Sequence, residues 1–419
     1  MALRASVPDE VDVVIVGAGI TGASCFWHLA SAGRGLRVAC FEMHHKLHGS
    51  TARSAAAFRH QFAAEVHIHM SLASGRFYRS FPERFGGEPV LRENGYAFVY
   101  TGAEAFAQAC ARAERQRALG VPELEVWTGA AAVRERLPMV EHPALAGATF
   151  CRHDGFLLPD VITHTLFEHG LRVGGCLRQW APVREIVRAG GRVWGVRVAC
   201  EDGEREVRAP VVINAAGPWA NAVSQLAGVQ IPLTPVKRYL YFTTQIPGRQ
   251  VRHFPLLVFD LEPYCRPEAD ALMCGWDRRP PKPPGWDRFP PPAVEAQALD
   301  SDSIEPGYGL GIEEYGYEVL AALAEYMPWL AEQAGLEHAT AGYYEVTPDD
   351  KAIIDWDPRL PGLLHATGFS GHGVMHAPAT GMMVRALVLD EPPPFDPAAL
   401  ALAPLLENRP RPDPETVII

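Results

Sequence analysis

The chain has no pair of cysteines at CxxC spacing, no run of basic residues, and no apolar stretch near the ~20 residues a membrane span requires. Each absence removes a class of function. Cysteines scattered from Cys25 to Cys274 offer neither a zinc site nor a dithiol redox centre. Several sit in apolar runs, as buried thiols of a reducing compartment do. A net charge of −11 without a compensating basic segment argues against a nucleic-acid partner. About ten residues precede the first strand-like run, too few for a signal peptide, so a cytoplasmic protein with no integral membrane segment is expected. A homo-oligomer stays open. With 48% hydrophobic and 21% charged residues in 419, the chain reads as a globular enzyme. Its length allows roughly two or three structural units.

What is present begins at Val11. The run Val11-Asp-Val-Val-Ile-Val-Gly-Ala-Gly-Ile-Thr-Gly22 reads as a buried parallel strand, a glycine turn and a helix start. Leu36-Arg-Val-Ala-Cys-Phe-Glu42 reads as a second strand with an acid at its tip. Gly17 permits the tight turn, Gly19 lets backbone approach a pyrophosphate, and Gly22 lets the helix pack close to the strand. The helix start offers unpaired N–H groups to phosphates, and Glu42 can accept from a ribose hydroxyl. Together they predict a dinucleotide site.

Further along, the small residues of Gly49–Arg59 keep a backbone near a flat ligand, cap a helix through Ser50 or Thr51, or do both. Residues 60–80 and 102–119 have helical amphipathic spacing, and Val90–Tyr100 reads as a hairpin turning at Asn94-Gly95. Strand-like runs around Gly190-Gly191 form a meander, and Val211–Trp219 is another apolar strand ending in a glycine turn. Residues 229–276 are rich in β-formers, as an antiparallel sheet is. Pro280–Pro292 reads as an irregular loop, 315–335 as helical, and the proline-rich end from Glu391 as a surface tail. Leu364–Gly381 repeats the strand and glycine turn, with a helix expected to begin near Pro378. That helix start serves either a group gaining negative charge on reduction or a second phosphate.

Taken in order, Gly17-Ala-Gly-Ile-Thr-Gly22 with Glu42, Gly49-Ser-Thr-Ala-Arg-Ser54, Asn214-Ala-Ala-Gly-Pro-Trp219, Tyr264-Cys-Arg-Pro-Glu268, Thr347-Pro-Asp349 and Gly368-Phe-Ser-Gly-His-Gly373 resemble the D-amino-acid oxidase superfamily. They are most similar to the sarcosine oxidase, glycine oxidase and dimethylglycine dehydrogenase branch. Gly49–Phe62 with Ala341-Gly-Tyr-Tyr344 is also similar to the flavoprotein that assists respiratory complex I assembly. The resemblance spans roughly residues 11–390.

It implies an α/β fold: a discontinuous glutathione-reductase-like FAD-binding domain (1–85, 150–228 and 340–395), and an α+β substrate domain with a large mixed or antiparallel sheet (86–149 and 229–339). Residues 396–419 form a C-terminal tail. It implies FAD, expected to be noncovalent because Gly342 replaces an attachment cysteine, and oxidation of a carbon–nitrogen bond in an amino acid or secondary amine, by hydride transfer to flavin N5 and hydrolysis of the imine. Oxygen, an electron-transfer protein or a quinone would take the electrons. The residues expected at the cofactor are Gly17, Gly19, Ile20, Thr21, Gly22, Glu42, Ser50, Thr51, Arg53, Ser54, Ala55, Ala56, Val183, Ala215, Gly217, Trp219, Gly342, Gly368, Ser370, Gly371, His372, Gly373, Val374 and Met375. Those expected to act on substrate are Arg59, Tyr264, His372 and Tyr344, with Arg59 as a bidentate carboxylate clamp whose loss raises the apparent substrate constant.

The chain also departs from that pattern. Gly342 stands where sarcosine oxidase attaches its flavin to a cysteine, which excludes that linkage. His44, His45, His48 and His60 lie near the region used for histidyl attachment in dimethylglycine dehydrogenase. Met375 stands where sarcosine oxidase has a substrate-binding lysine, which implies a different substrate or carboxylate anchor, and Met273 where it has an oxygen-reactive lysine, which favours a dehydrogenase. Tyr239, Tyr241 and Tyr264 are on strands expected to roof the flavin, with Tyr343 and Tyr344 at its edge, although strand tyrosines also serve as core residues. His67 and His69 read as solvated helix residues, and no metal site is expected. Two other functions stay open: a 2-hydroxy-acid or glycerol-phosphate dehydrogenase, and a non-catalytic flavoprotein acting as an assembly or binding factor.

Overall fold

The computed structural model describes residues 7–276 and 311–417; the Pro280–Pro292 segment lies outside the described residues. Val13–Val16 is a run of β-branched residues, all buried, which needs cover on both faces. It pairs in parallel with Val38–Phe41 on one side and Val211–Asn214 on the other. Among the described residues its sheet has six strands, in the order Ile353–Trp356, Leu363–Thr367, Val211–Asn214, Val13–Val16, Val38–Phe41 and Cys176–Arg178. Only the Ile353–Trp356 edge runs antiparallel. Strand alternation divides the cover. Val13 and Ile15 pack with Phe26 and Leu29 of helix Ile20–Ala30 and with Val384 of helix Gly373–Leu389. Val14 and Val16 pack with Val193, Val196 and Val207 of the meander Val183–Ala189, Arg192–Cys200, Gly203–Arg208.

The second large sheet has eight strands, in the order Leu336–Val346, Thr234–Thr243, Ala271–Trp276, Pro263–Glu268, Leu256–Phe259, Tyr96–Tyr100, Gly147–Cys151 and Leu124–Thr128. It is mixed, because Leu256–Phe259 runs parallel to Tyr96–Tyr100 while the other pairs are antiparallel. The α/β reading with a large mixed sheet holds. Among the described residues, no helix is long and apolar enough to cross a membrane.

Four local expectations change. Leu91–Arg92 and Tyr96–Tyr100 do not pair as a hairpin: the first joins Gly155–Leu157 and the second Gly147–Cys151. Asn94 and Gly95 carry the chain between sheets, the Asn94 amide donating to the carbonyls of Arg252 and Phe254. The helix expected over 60–80 is Glu65–Arg79, with 60–64 outside it. The last long helix starts at Gly373, which puts Pro378 inside it. A proline there leaves the carbonyl four residues earlier without its N–H. That carbonyl, on Val374, accepts instead from the Tyr78 hydroxyl at 2.6 Å.

The fourth change concerns the C-terminal segment, which is not a surface tail. Arg411, Glu415 and Val417 are 2, 4 and 3% exposed. The Arg411 guanidinium binds Asp349 and donates to the Ala352 and Lys351 carbonyls at 2.7 Å. Asp413 pairs with Arg115 and accepts from the Glu65 N–H. Composition misses such a segment because its buried groups are charges matched to partners elsewhere in the chain.

Candidate functional site

The turn after Val13–Val16 is set by two close approaches. Gly17 has a φ of +107°, and a Cβ there would lie 2.5 Å from the Ala215 carbonyl oxygen. A Cβ on Gly22 would lie 1.9 Å from the Gly17 carbonyl oxygen. The helix start therefore sits tightly on the strand end. The Thr51 hydroxyl accepts from the Ile20 N–H at 3.1 Å, which ties the small-residue run to the same point. Glu42 is held by two backbone donors, Ala18 N–H at 2.8 Å and His44 N–H at 2.9 Å, one on each oxygen. Its carboxylate keeps acceptor capacity for a further donor.

These groups border a cavity of about 290 Å³. It is lined by Gly17, Gly19, Ile20, Thr21, Glu42, Ser50, Thr51, Arg53, Ser54, Ala55, Val183, Ala215, Gly217, Trp219, Gly342, Gly371, Gly373 and Val374, all expected from sequence. A smaller cavity of about 50 Å³ adjoins it, and Ala56, Arg59, His372 and Met375 line that one with Tyr96 and Leu256. Tyr264 and Tyr344 border both cavities. Gly22, Gly368 and Ser370 line neither. Gly22 sets the helix position, a Cβ on Gly368 would meet Thr347 at 2.5 Å, and the Ser370 hydroxyl accepts from the Thr347 N–H. They shape the turns that carry the lining residues.

Some expected positions face elsewhere. Tyr239 and Tyr241 pack in the core with Tyr315, and the alternate residues of that strand, Arg238 and Leu240, line the larger cavity. Period-2 alternation carried the signal, but choosing the face required knowing the sheet. His67 is 1% exposed, not solvated, and its Nδ1 lies 3.0 Å from Glu415. Of the four histidines near the attachment region, His48 lines the cavity while His60 is buried against Asp154. Among the described residues, His60, Cys151 and Asp154 are the one group with metal-ligand atoms in mutual reach. The Asp154 carboxylate there is taken up by His60 and Gln61 donors.

Glu345 is a lining residue that sequence reading missed. It is buried in the larger cavity, and burial pushes its carboxyl up to about 7, against backbone hydrogen bonds that work to lower it. A carboxyl raised on folding contributes least stability when ionised. Stability should therefore fall as pH rises from the unfolded carboxylate range to about 7. The loss is on the order of 3 kcal/mol. Glu345→Gln should flatten that dependence. Melting temperatures of both proteins at pH 5 and pH 8 check this, and parallel curves would remove Glu345 as the cause.

A family model described as FAD dependent oxidoreductase matches residues 12–387. The chain belongs to that family. It is 27% identical to FAD-dependent oxidoreductase domain-containing protein 1 of Xenopus laevis, over 91% of this chain and 80% of that protein. It is 25% identical to human mitochondrial sarcosine dehydrogenase, over 88% of this chain and 38% of that longer protein. In structure it is similar to L-proline dehydrogenase from P. horikoshii, with a TM-score of 0.82, 23% identity and coverage of 97% and 100% of the two chains. That likeness is one of fold.

The residues of this FAD dependent oxidoreductase fit the cofactor. The larger cavity meets a helix start at Ile20 and a second at Gly373, both suited to groups that carry or gain negative charge. The glycine turn leaves no side chain between Gly17–Gly19 backbone and the cavity, and Glu42 is fixed at its edge.

Proposed function

We propose that this oxidoreductase oxidises the carbon–nitrogen bond of a small amine or amino acid, with FAD held noncovalently in the larger cavity and substrate in the smaller. The observation that carries this reading is the junction of the two cavities at Tyr264 and Tyr344. A molecule in the smaller cavity would lie against whatever fills the larger. Human sarcosine dehydrogenase, a sequence relative, acts by its name on a secondary amine.

FAD, when bound, supplies a two-electron acceptor. This chain's residues do the rest. Tyr264 and Tyr344 are aromatic walls that exclude water and restrict a substrate's orientation. The His372 imidazole borders the smaller cavity with its Nε2 3.4 Å from Arg59 Nη2, where it can tune the protonation of a substrate amine. Arg59 also lines this cavity, and Met375 gives it an apolar patch. We assign residues 1–85, 150–228 and 340–395 to the nucleotide unit, and 86–149 and 229–339 to the substrate unit. The eight unpaired cysteines support a cytoplasmic setting.

A mixed panel of amines, amino acids and hydroxy acids added without air tests the function. Bleaching of the flavin by an amine supports it; bleaching by a hydroxy acid alone replaces it with alcohol oxidation, and no bleaching by any member favours a non-catalytic role. Met273 is a buried apolar side chain beside Tyr264 and Leu240 in the core. With no cation at that position, reoxidation is expected to be faster with a dye or quinone than with air. Rapid peroxide formation would contradict this. Denaturation should release the yellow colour into solution; colour retained on the precipitated chain would show a covalent link.

A further inference from the structure

The C-terminal segment reaches the site at Val417. The Val417 carbonyl accepts from Arg59 Nη2 at 2.6 Å, and Arg59 Nη1 donates to the Gln61 carbonyl. The guanidinium lies 3.8 Å over the Phe62 ring. Only Nε has no partner among the described residues. The Val417 side chain packs in the cluster containing Tyr96, Leu256 and Tyr264, all of which line the smaller cavity. Arg59 itself is 1% exposed. A cation so buried needs an opposite charge nearby.

Asp154 acts on Arg59 from the network beside His60, and Glu415 supplies the stronger opposite charge. Its oxygens accept from the N–H groups of Ala63, Ala64, Thr416 and Val417, and one lies 3.0 Å from His67 Nδ1. Burial works to raise its pKa, and the His67 contact with the His67 and Arg59 charges outweighs it, so the group is held below the usual carboxylate range. The segment is firmly seated. Arg411 is buried on Asp349, and the fully buried Lys351 donates to the Pro412 carbonyl.

We propose that this C-terminal strap determines substrate choice: Glu415 provides the counter-charge and Val417 the acceptor that Arg59 would otherwise find in a substrate carboxylate. The strap turns a potential carboxylate clamp into a closed wall. The cavity then favours compact amines that bring no carboxylate to the Arg59 end. This rests on the assignment of the smaller cavity to substrate, and it names the substrate class more narrowly.

The test is calorimetric titration of the purified full-length protein with acetate and with its neutral analogue acetamide. In the native protein, acetate should bind weakly, and Arg59→Met should change its affinity by less than about threefold. Glu415→Gln keeps the shape and removes the charge. It should tighten acetate binding at least tenfold and leave acetamide unchanged, and adding Arg59→Met should abolish the gain. Acetate affinity that is unchanged or weaker in a folded Glu415→Gln protein overturns the proposal. So does a large loss of acetate binding on Arg59→Met alone, a comparison that stands even where Glu415→Gln fails to fold. Calorimetry reads these affinities with or without flavin, so a protein lacking the flavin spectrum would count against the oxidoreductase reading separately.

Discussion

A Gly22→Ala variant is expected to purify with little FAD and a lowered melting temperature. The added methyl would overlap the Gly17 carbonyl oxygen at 1.9 Å, a backbone atom that cannot rotate aside. Helix Ile20–Ala30 would have to lift from the sheet, at a cost of about 3 kcal/mol or more. That shift also moves the N–H groups facing the larger cavity. Gly19→Ala is the contrast: its Cβ would meet only the Thr51 hydroxyl at 3.1 Å, and a side chain can turn. Its loss of stability should be smaller. The ratio of flavin to protein absorbance, with thermal melting, reads both variants. Full FAD content in Gly22→Ala would break the link between this contact and the cofactor.

The second large effect is expected at Asp154, which is fully buried. Its Oδ1 accepts from His60 N–H at 2.9 Å and from His60 Nδ1, and its Oδ2 from the Gln61 amide at 3.2 Å. Gln61 in turn donates to the Tyr96 carbonyl at 3.0 Å and accepts from the Thr149 hydroxyl at 2.8 Å. This network fixes the short stretch that carries Arg59 against the second sheet. Asp154→Ala would leave several buried donors without acceptors and cost roughly 3–5 kcal/mol, at about 1–3 kcal/mol for each buried group that loses its partner. Chemical denaturation measures the loss. The apparent substrate constant should rise with it, because Arg59 and the cavity wall lose their support. A variant as stable as the native chain would show that the network is dispensable.

How legible these features were depends on how local their causes are. The first strand, glycine turn and acid could be read directly, because β-branched residues at Val13–Val16 favour a strand and positions 17 and 22 have no room for a Cβ. Other features depend on distant partners. Strand propensity located the 234–243 strand, but whether Tyr239 or Leu240 faced the cavity depended on which surface of that strand met the first sheet. Proline rules placed a helix start at Pro378, and a hydroxyl from Tyr78 overrode them. Glu415 looked like part of a solvated tail, since its partners Ala63 and Ala64 lie about 350 residues earlier. Glu345 carried no local signal, because its behaviour comes from burial.

The central claim is oxidation at the carbon beside an amine nitrogen, and one measurement tests it most directly. The FAD-loaded protein is mixed without air with a compact secondary amine, in ordinary form and deuterated at that carbon, and the flavin absorbance is followed in time. The account predicts bleaching by both, slowed several-fold by deuterium. Bleaching that ignores deuterium would place the slow step elsewhere. A flavin that stays oxidised with amines while a hydroxy acid bleaches it would contradict the account.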